Sequence, residues 1–336
     1  MATTLIEAAS WRGRVAADLA VFEVDEAAVR TIAPRLAPRL VVVTNLARDQ
    51  LDRYGELATT AEHVRTAVEA SAEAVLNADD PLVAACADAA PAAHLFGAVA
   101  AIKDKMPADA AMYGGGTAGG PGGDADLLLE SSVPAGDGQE IRVRRRNGEH
   151  VTVSLQVPGP YNGYNATAAL LAASALGVTA PVAASAIAAM PPAFGRGQVV
   201  EYRRRRVRLL LVKNPAGFNQ VIRLLSAAEP GPVVIAINDL DADGRDVSWL
   251  WDARVEDLAG TRHRFGTSGI RADDMAVRLK YAGIECWSEP GLEAAVTRAI
   301  DDASAGETVH LVPTYTAMLR LLDVLQPGRD RREVWR

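Results

Sequence analysis

Cysteine is nearly missing from this sequence: its 336 residues contain two, Cys86 and Cys286, far apart. That count excludes a disulfide framework and a four-thiolate metal site, and a reduced, cytoplasmic protein is the expectation. A basic excess is missing too. Lys and Arg number 35 against 42 Asp and Glu, a net charge of -7; phosphate backbones call for positive surplus or a basic face, so nucleic acid is not an expected partner. No stretch of about eighteen apolar residues runs uninterrupted, as a membrane-spanning helix would require. The opening MATTLIEAASWRGR also has no basic segment ahead of an apolar one, as a secretory leader would.

What is present is an alternation of strand and helix patterns. LVVVTN, EAVLNAD and AHLFGAV read as strands, with TTAEHVRTAVEAS and DPLVAACADAA as the helices between them, and DLAVFEVDE reads as a further strand ahead of all three. Such order predicts an α/β fold with a largely parallel sheet and helices on its faces. From Met106 to Asp126 the chain is too rich in Gly and Ala to bury anything and is expected to be a mobile loop. EIRVRRRNGEHVTVSLQV reads as a hairpin turning at Asn147-Gly148. Arg142, Arg144 and Arg146 share one of its faces, read as a solvated face in preference to an anion site. Two helices follow, GPYNGYNATAALLAASALGV and TAPVAASAIAAMPP. Alternation resumes near Val199 and continues to the end, so we expect one domain over 1–200 and a Rossmann-like second over 201–336.

In open parallel sheets, ligands bind beyond the carboxyl ends of the strands. Three expected strand ends carry acids here: Glu23, Asp25 and Glu26 after DLAVF, Asp49 and Asp52 after LVVVTN, and Asp79 and Asp80 after VLNA. Carboxylates beside a phosphate ligand are what Mg²⁺ needs. The plain alternative, acids capping the following helices, suits Asp79-Asp80-Pro81 well and Glu23 poorly.

The phrase TNLARDQLDRYGEL, together with VFEVDE, LNADDP, GPYNGYNATAAL and FGRGQ, resembles the central ATP-binding domain of the Mur ligase superfamily. LLLVKNPAGFNQV, DADGRDVSWLWD, SGIRADDMAVRLKYAG and VPTYTAMLRLL are similar to the C-terminal domain of one branch, the MurT-type subunit of lipid II isoglutaminyl synthase. The likeness runs from about residue 20 to 325, interrupted by the glycine-rich stretch. It implies a ligase of peptidoglycan synthesis that pairs with a glutaminase subunit, GatD, and amidates the α-carboxyl of D-glutamate in the lipid II stem peptide. ATP would phosphorylate that carboxylate and ammonia from the partner would attack the acyl phosphate, a reaction governed by positioning and charge neutralisation.

By the same resemblance Glu23 is the Mg²⁺ ligand, Asn162 and Asn165 meet the adenine, and Arg196 reaches the ribose. Gln50 stands where most of the superfamily has histidine and is expected to tune the site. For Asn165 the structural alternative is an interior helix asparagine bonded to backbone. Asn214, in the KNPAG turn after a strand, is the polar contact expected to face the cleft. Asp243, Asp246 and Asp252 share the loop DADGRDVSWLWD, where a carboxylate can orient or deprotonate incoming ammonia; Asp246 and Asp252 are the first choices. Trp249 and Trp251 in that loop are expected to include at least one core residue.

Two departures qualify the resemblance. Mur ligases carry a GxxGK[ST] loop upstream of the glutamate strand; none stands in this sequence, and GGGTAGGPGG lacks its lysine and hydroxyl. That leaves open an upstream segment outside these residues, or a copy that does not bind ATP alone and serves only to bind the glutaminase. Another Mur-type amide ligase is the third reading. Relatives also carry a four-cysteine zinc ribbon, and two cysteines cannot supply one, so no zinc is expected. The run Arg203–Arg206 is read as a solvated turn or a partner contact, with the anionic inner membrane face, where lipid II resides, as the alternative.

Overall fold

In the computed structural model the described residues are 8–15, 17–46, 57–104, 106, 125–192 and 195–328. The charged run from Arg48 to Tyr54, Gln50 within it, and nearly all of the glycine-rich stretch lie outside them.

The first helix, α1 (Glu26–Leu36), starts where the Asp25 carboxylate accepts the backbone N–H of Ala27 at 2.9 Å. It stops at Ala37, whose left-handed φ of 45° ends the helical ladder ahead of Pro38. The segment before it corrects the sequence reading: DLAVFEVDE forms no strand. Val21 is 87% exposed, and among the described residues β1 (Leu40–Val43) makes its ladder with β2 (Glu73–Asn77) alone. Alternating apolar residues make a strand only where a neighbouring backbone takes up the N–H and C=O groups.

The first sheet has strand order β1-β2-β3-β4-β5-β6, with β3 at Ala93–Ala98, β4 at Leu127–Ala135, β5 at Gly138–Arg145 and β6 at His150–Leu155. The first four strands are parallel and the last three form an antiparallel meander. On one face α2 (Leu57–Glu69) packs Val64 and Val68 against Val43 and Leu76. On the other, α5 (Pro160–Ala175) and α6 (Ala180–Ala189) cover Val75, Phe96, Leu129 and Val153. Two short helices close the strand ends, α3 (Pro81–Ala84) after β2 and α4 (Ala100–Lys103) after β3. Strand β4 was not expected. A bulge between Leu129 and Ser131 breaks its period of two, leaving three consecutive buried leucines followed by polar residues.

The arginine face of the β5–β6 hairpin is a cross-strand ion cluster. Glu130 of β4 accepts from Arg144 Nε at 2.7 Å and lies 3.1 Å from His150 Nε2. Arg142 and Arg146 keep more than half of their side chains in water, as a solvated face requires.

The second sheet runs β11-β10-β9-β12-β8-β7, with only β7 antiparallel. Its strands are β7 (Arg196–Tyr202), β8 (Arg205–Leu210), β9 (Pro232–Ala236), β10 (Arg264–Ser268), β11 (Cys286–Ser288) and β12 (Thr308–Pro313). Since β7 starts at Arg196, this sheet takes in the last residues that the expected boundary at 200 assigned to the first domain. Helices α7 (Pro215–Ala227) and α8 (Ala272–Tyr281) pack on one face through Phe218, Ile222, Met275 and Leu279. Helices α9 (Leu292–Asp302) and α10 (Tyr315–Leu325) pack on the other through Val296, Met318 and Leu322. Strand β10, inside the sheet between β11 and β9, escaped the sequence reading because RFGTS has one large apolar residue. It is buried through Gly266, over which the Trp287 ring lies so closely that any Cβ would collide with the indole.

Among the described residues, two contacts join the domains. The tip of the β4–β5 hairpin presents Asp137, whose Oδ1 accepts from Arg206 Nη2 at 2.5 Å and Arg208 Nη2 at 2.7 Å on β8. Farther along, Pro158, just ahead of α5, lies against Gly197 of β7; a Cβ on Gly197 would stand 2.9 Å from Pro158 Cδ.

Candidate functional site

At the carboxyl edge of the first sheet, the segment Asn77-Ala78-Asp79-Asp80 reaches in three directions. The Asn77 amide donates to Thr44 O at 2.7 Å, and Asp80 Oδ2 accepts the Leu46 N–H at 2.7 Å, so the end of β1 is fastened to the end of β2. Asp80 Oδ1 also caps α3, accepting from Leu82 N and Val83 N. The capping alternative therefore holds for Asp80. Asp79 does something else. Its Oδ2 accepts the Ala98 N–H at 2.7 Å and the Tyr164 hydroxyl of α5, and its Oδ1 lies 3.3 Å from Lys103 Nζ. Burial pushes the Asp79 carboxyl above its ordinary pKa, opposed by the Ala98 N–H and the Lys103 ammonium. The sequence offered Asp79 as one of several strand-end acids and gave no signal for Lys103 or Tyr164.

Helix α5 opens with Gly159 at φ 95° and Pro160 in its first turn. The Asn162 amide donates to Pro158 O at 2.6 Å. Asn165, one turn on, is exposed, so the reading of an interior asparagine bonded to backbone does not hold. Pro158, whose carbonyl the Asn162 amide engages, lies against Gly197 of β7, the strand on which Arg196 stands. Glu23 is exposed on the extended segment before α1. Among the described residues no three His, Cys, Asp or Glu side chains gather as a metal cage. A single exposed carboxylate still suits Mg²⁺, an ion ordinarily held by one or two carboxylates together with waters and substrate phosphates.

In the second sheet, the connection leaving β9 passes to the α7–α8 face, while that leaving β12 passes to the α9–α10 face. Adjacent strands whose connections diverge in this way open a crevice at their carboxyl ends, the usual ligand position in such sheets. A buried polar network lies at that point. Asn238 receives the Ile270 N–H at 3.0 Å on its oxygen and donates at 2.9 Å to the Thr316 hydroxyl, while its own N–H goes to Thr314 Oγ1. Asp243 accepts from Thr316 N at 2.8 Å, Thr316 Oγ1 at 2.5 Å and Leu240 N at 3.2 Å. Beside it, Asp239 holds the Arg271 guanidinium through Nε at 2.9 Å and Nη2 at 2.7 Å.

Of the three loop aspartates, then, only Asp243 is buried, and it is spent on fastening the loop to the start of α10. Asp246 and Asp252 are exposed. The Ser248 backbone N–H, at 2.8 Å from Asp246 Oδ1, and the Ser248 hydroxyl hold Asp246 below the usual carboxylate range. Asn214 is the N-cap of α7, its Oδ1 accepting the Gly217 N–H at 2.7 Å. Trp249 packs edge-on against Phe218 with centroids 6.0 Å apart. Trp251 is 52% exposed and lies edge-on to Tyr281.

The sequence matches the Mur ligase middle domain family over residues 8–173 and the MurT ligase C-terminal family over residues 211–318. It is 29% identical to the MurT subunit of lipid II isoglutaminyl synthase (glutamine-hydrolyzing) of Streptococcus pneumoniae, with 97% of this chain and 78% of the relative aligned. Identity to the Staphylococcus aureus MurT subunit is 26%, over 91% of this chain and 74% of that one. Among solved structures, a pseudomurein peptide ligase type C from Methanothermus fervidus superposes with a TM-score of 0.70 at 17% identity, covering 95% of this chain and 70% of the other. MurF from Acinetobacter baumannii does so with a TM-score of 0.64 at 14% identity, covering 88% and 62%. No described helix is long and apolar enough to cross a membrane. The two matches follow each other along the chain in the order of its two sheets, and the chain belongs to the Mur ligase family, in its MurT branch.

Proposed function

We propose that this chain is the synthetase subunit of a glutamine-dependent amidating ligase of peptidoglycan synthesis, converting the α-carboxyl of D-glutamate in the lipid II stem peptide to the amide of D-isoglutamine. The observation that carries this reading is the buried network at the carboxyl ends of β9 and β12, which holds a loop whose Asp246 and Asp252 remain open to solvent. A carboxylate is a poor electrophile, and ATP supplies the phosphoryl group that activates it; Asn162, Asn165 and Arg196 would hold the nucleotide, and Glu23 a Mg²⁺ ion. Gln50 would tune that end of the site.

Ammonia is nucleophilic only when unprotonated. Asp246, kept ionised by the Ser248 donors, is suited to attract and orient it, and Asp252 stands at the far end of the same loop. Asp243 would act on neither substrate directly; its part is to keep the loop in place. Asn214, already occupied at the head of α7, would shape the cleft wall with its backbone. The nitrogen would come from a separate glutaminase subunit of the GatD kind, docked where ammonia passes to the loop without meeting bulk water.

The test is reconstitution with the glutaminase subunit and mass analysis of the stem peptide. Asp246→Asn and Asp252→Asn are expected to abolish amidation while glutamine hydrolysis by the partner continues. Full amidation in both variants would remove the loop from catalysis. Binding of the glutaminase with no amidation by the unsubstituted chain would favour a purely interacting role.

A further inference from the structure

We propose that Asp79 is a positioning residue for the nucleotide-facing helix α5, acting through Tyr164; this rests on the ATP reading above. The Asp79 side chain is only 5% exposed, and a buried carboxylate persists where charge and donors compensate it. Each compensating group comes from a different element: Ala98 N from the end of β3, Tyr164 Oη from α5 and Lys103 Nζ from α4. One oxygen, Oδ2, thus joins the ends of two strands to the helix above them.

Gly97 leaves room for this arrangement, since a Cβ there would stand 3.0 Å from Oδ2. Tyr164 is 5% exposed and packs edge-on against Phe96 at 5.6 Å, pointing into the sheet. Asn165, next in the chain, points out. A shift of Tyr164 is therefore a shift of Asn165. The tie is not needed for the neighbouring connections, because Asn77 and Asp80 already fasten the end of β1 and Asp80 caps α3. A buried ion pair contributes little net stability compared with apolar packing of the same volume, so what Asp79 supplies is the register of α5 over the strand ends.

The experiment uses the full chain with its glutaminase partner, titrated with ADP and assayed with ATP. Tyr164→Phe keeps the ring and removes the hydroxyl. Losing one hydrogen bond of about 1 kcal/mol corresponds to about a fivefold change in an equilibrium constant. ADP is accordingly expected to bind about fivefold more weakly, with KM for ATP rising by more than kcat falls. Asp79→Asn, which keeps an acceptor for the hydroxyl, should lie between Tyr164→Phe and the unsubstituted chain. Val68→Ala, in α2 on the opposite face of the sheet, serves as the packing control: it lowers the melting temperature but leaves the ADP constant within twofold. Tyr164→Phe binding ADP like the unsubstituted chain, or all three variants weakening in proportion to their lost stability, overturns the proposal alone. An unsubstituted complex that binds no nucleotide overturns the ATP reading and this proposal with it.

Discussion

His310 sits at the centre of the second sheet with 2% of its surface exposed, and it should make the stability of that domain depend on pH. Burial, reinforced by Arg208 on the adjoining strand and by His263, whose ring lies 5.9 Å away, lowers its pKa from 6.5 to about 3. The folded domain therefore holds this imidazole neutral under conditions where the unfolded chain protonates it. Above pH 6.5 neither state takes the proton and the full stability is present. Below it the unfolded state binds the proton and the folded state does not, so stability falls by about 1.4 kcal/mol per pH unit until the folded pKa is reached. Between pH 8 and pH 4.5 the loss attributable to this residue is about 2–3 kcal/mol. Urea unfolding of the chain and of His310→Gln across that range is the assay, because the contributions of other groups cancel in the difference between the two. The difference in unfolding free energy is expected to narrow by about 2–3 kcal/mol on acidification. A difference that stays constant would show that His310 titrates alike in both states and would refute the reasoning.

Asp243→Ala strands three donors at the base of the β9–β12 crevice and should cost about 3–5 kcal/mol, read as a lowered urea midpoint; an unchanged midpoint would mean that water replaces the carboxylate. Gly266→Ala drives a methyl group into the Trp287 ring and is expected to cost about 1–3 kcal/mol, with an altered tryptophan emission reporting the displaced indole. Asp137→Ala removes a half-exposed carboxylate from two arginines, so its effect should stay below about 1 kcal/mol and vanish in high salt; an effect insensitive to salt would contradict an ionic contact.

A strand such as PVVIAIND is legible because a strand buried on both faces must be apolar throughout, which leaves a continuous run; LVVVTN carries the same run on an edge strand, where Val42 is exposed. DLAVFEVDE shows the opposite case. It has the alternation but finds no ladder, and pairing partners are not written in local sequence. RFGTS was missed because its burial depends on what it lacks: Gly266 makes room for a ring that arrives from Trp287, twenty-one residues later. At the candidate site, residue types and spacing brought Asp243, Asp246 and Asp252 to notice together but could not rank their burial, which depends on where Thr316 arrives from the other end of the domain. The same limit hid Asp79. Its place beside Asp80 suggested a shared capping role, whereas its partners come from Lys103 and Tyr164, one of them eighty-five positions away.

The contact of Asp137 with Arg206 and Arg208 makes the β4–β5 hairpin a spacer between domains. Hairpin turns are ordinarily places where length varies freely. Here one residue added to each strand would advance the tip by about 3.4 Å and turn its carboxylate to the opposite face. Keeping this contact after grafting a hairpin of different length from a related ligase would therefore take a matching change in β8, and chimeras meant to preserve it should be cut so that hairpin and strand travel together.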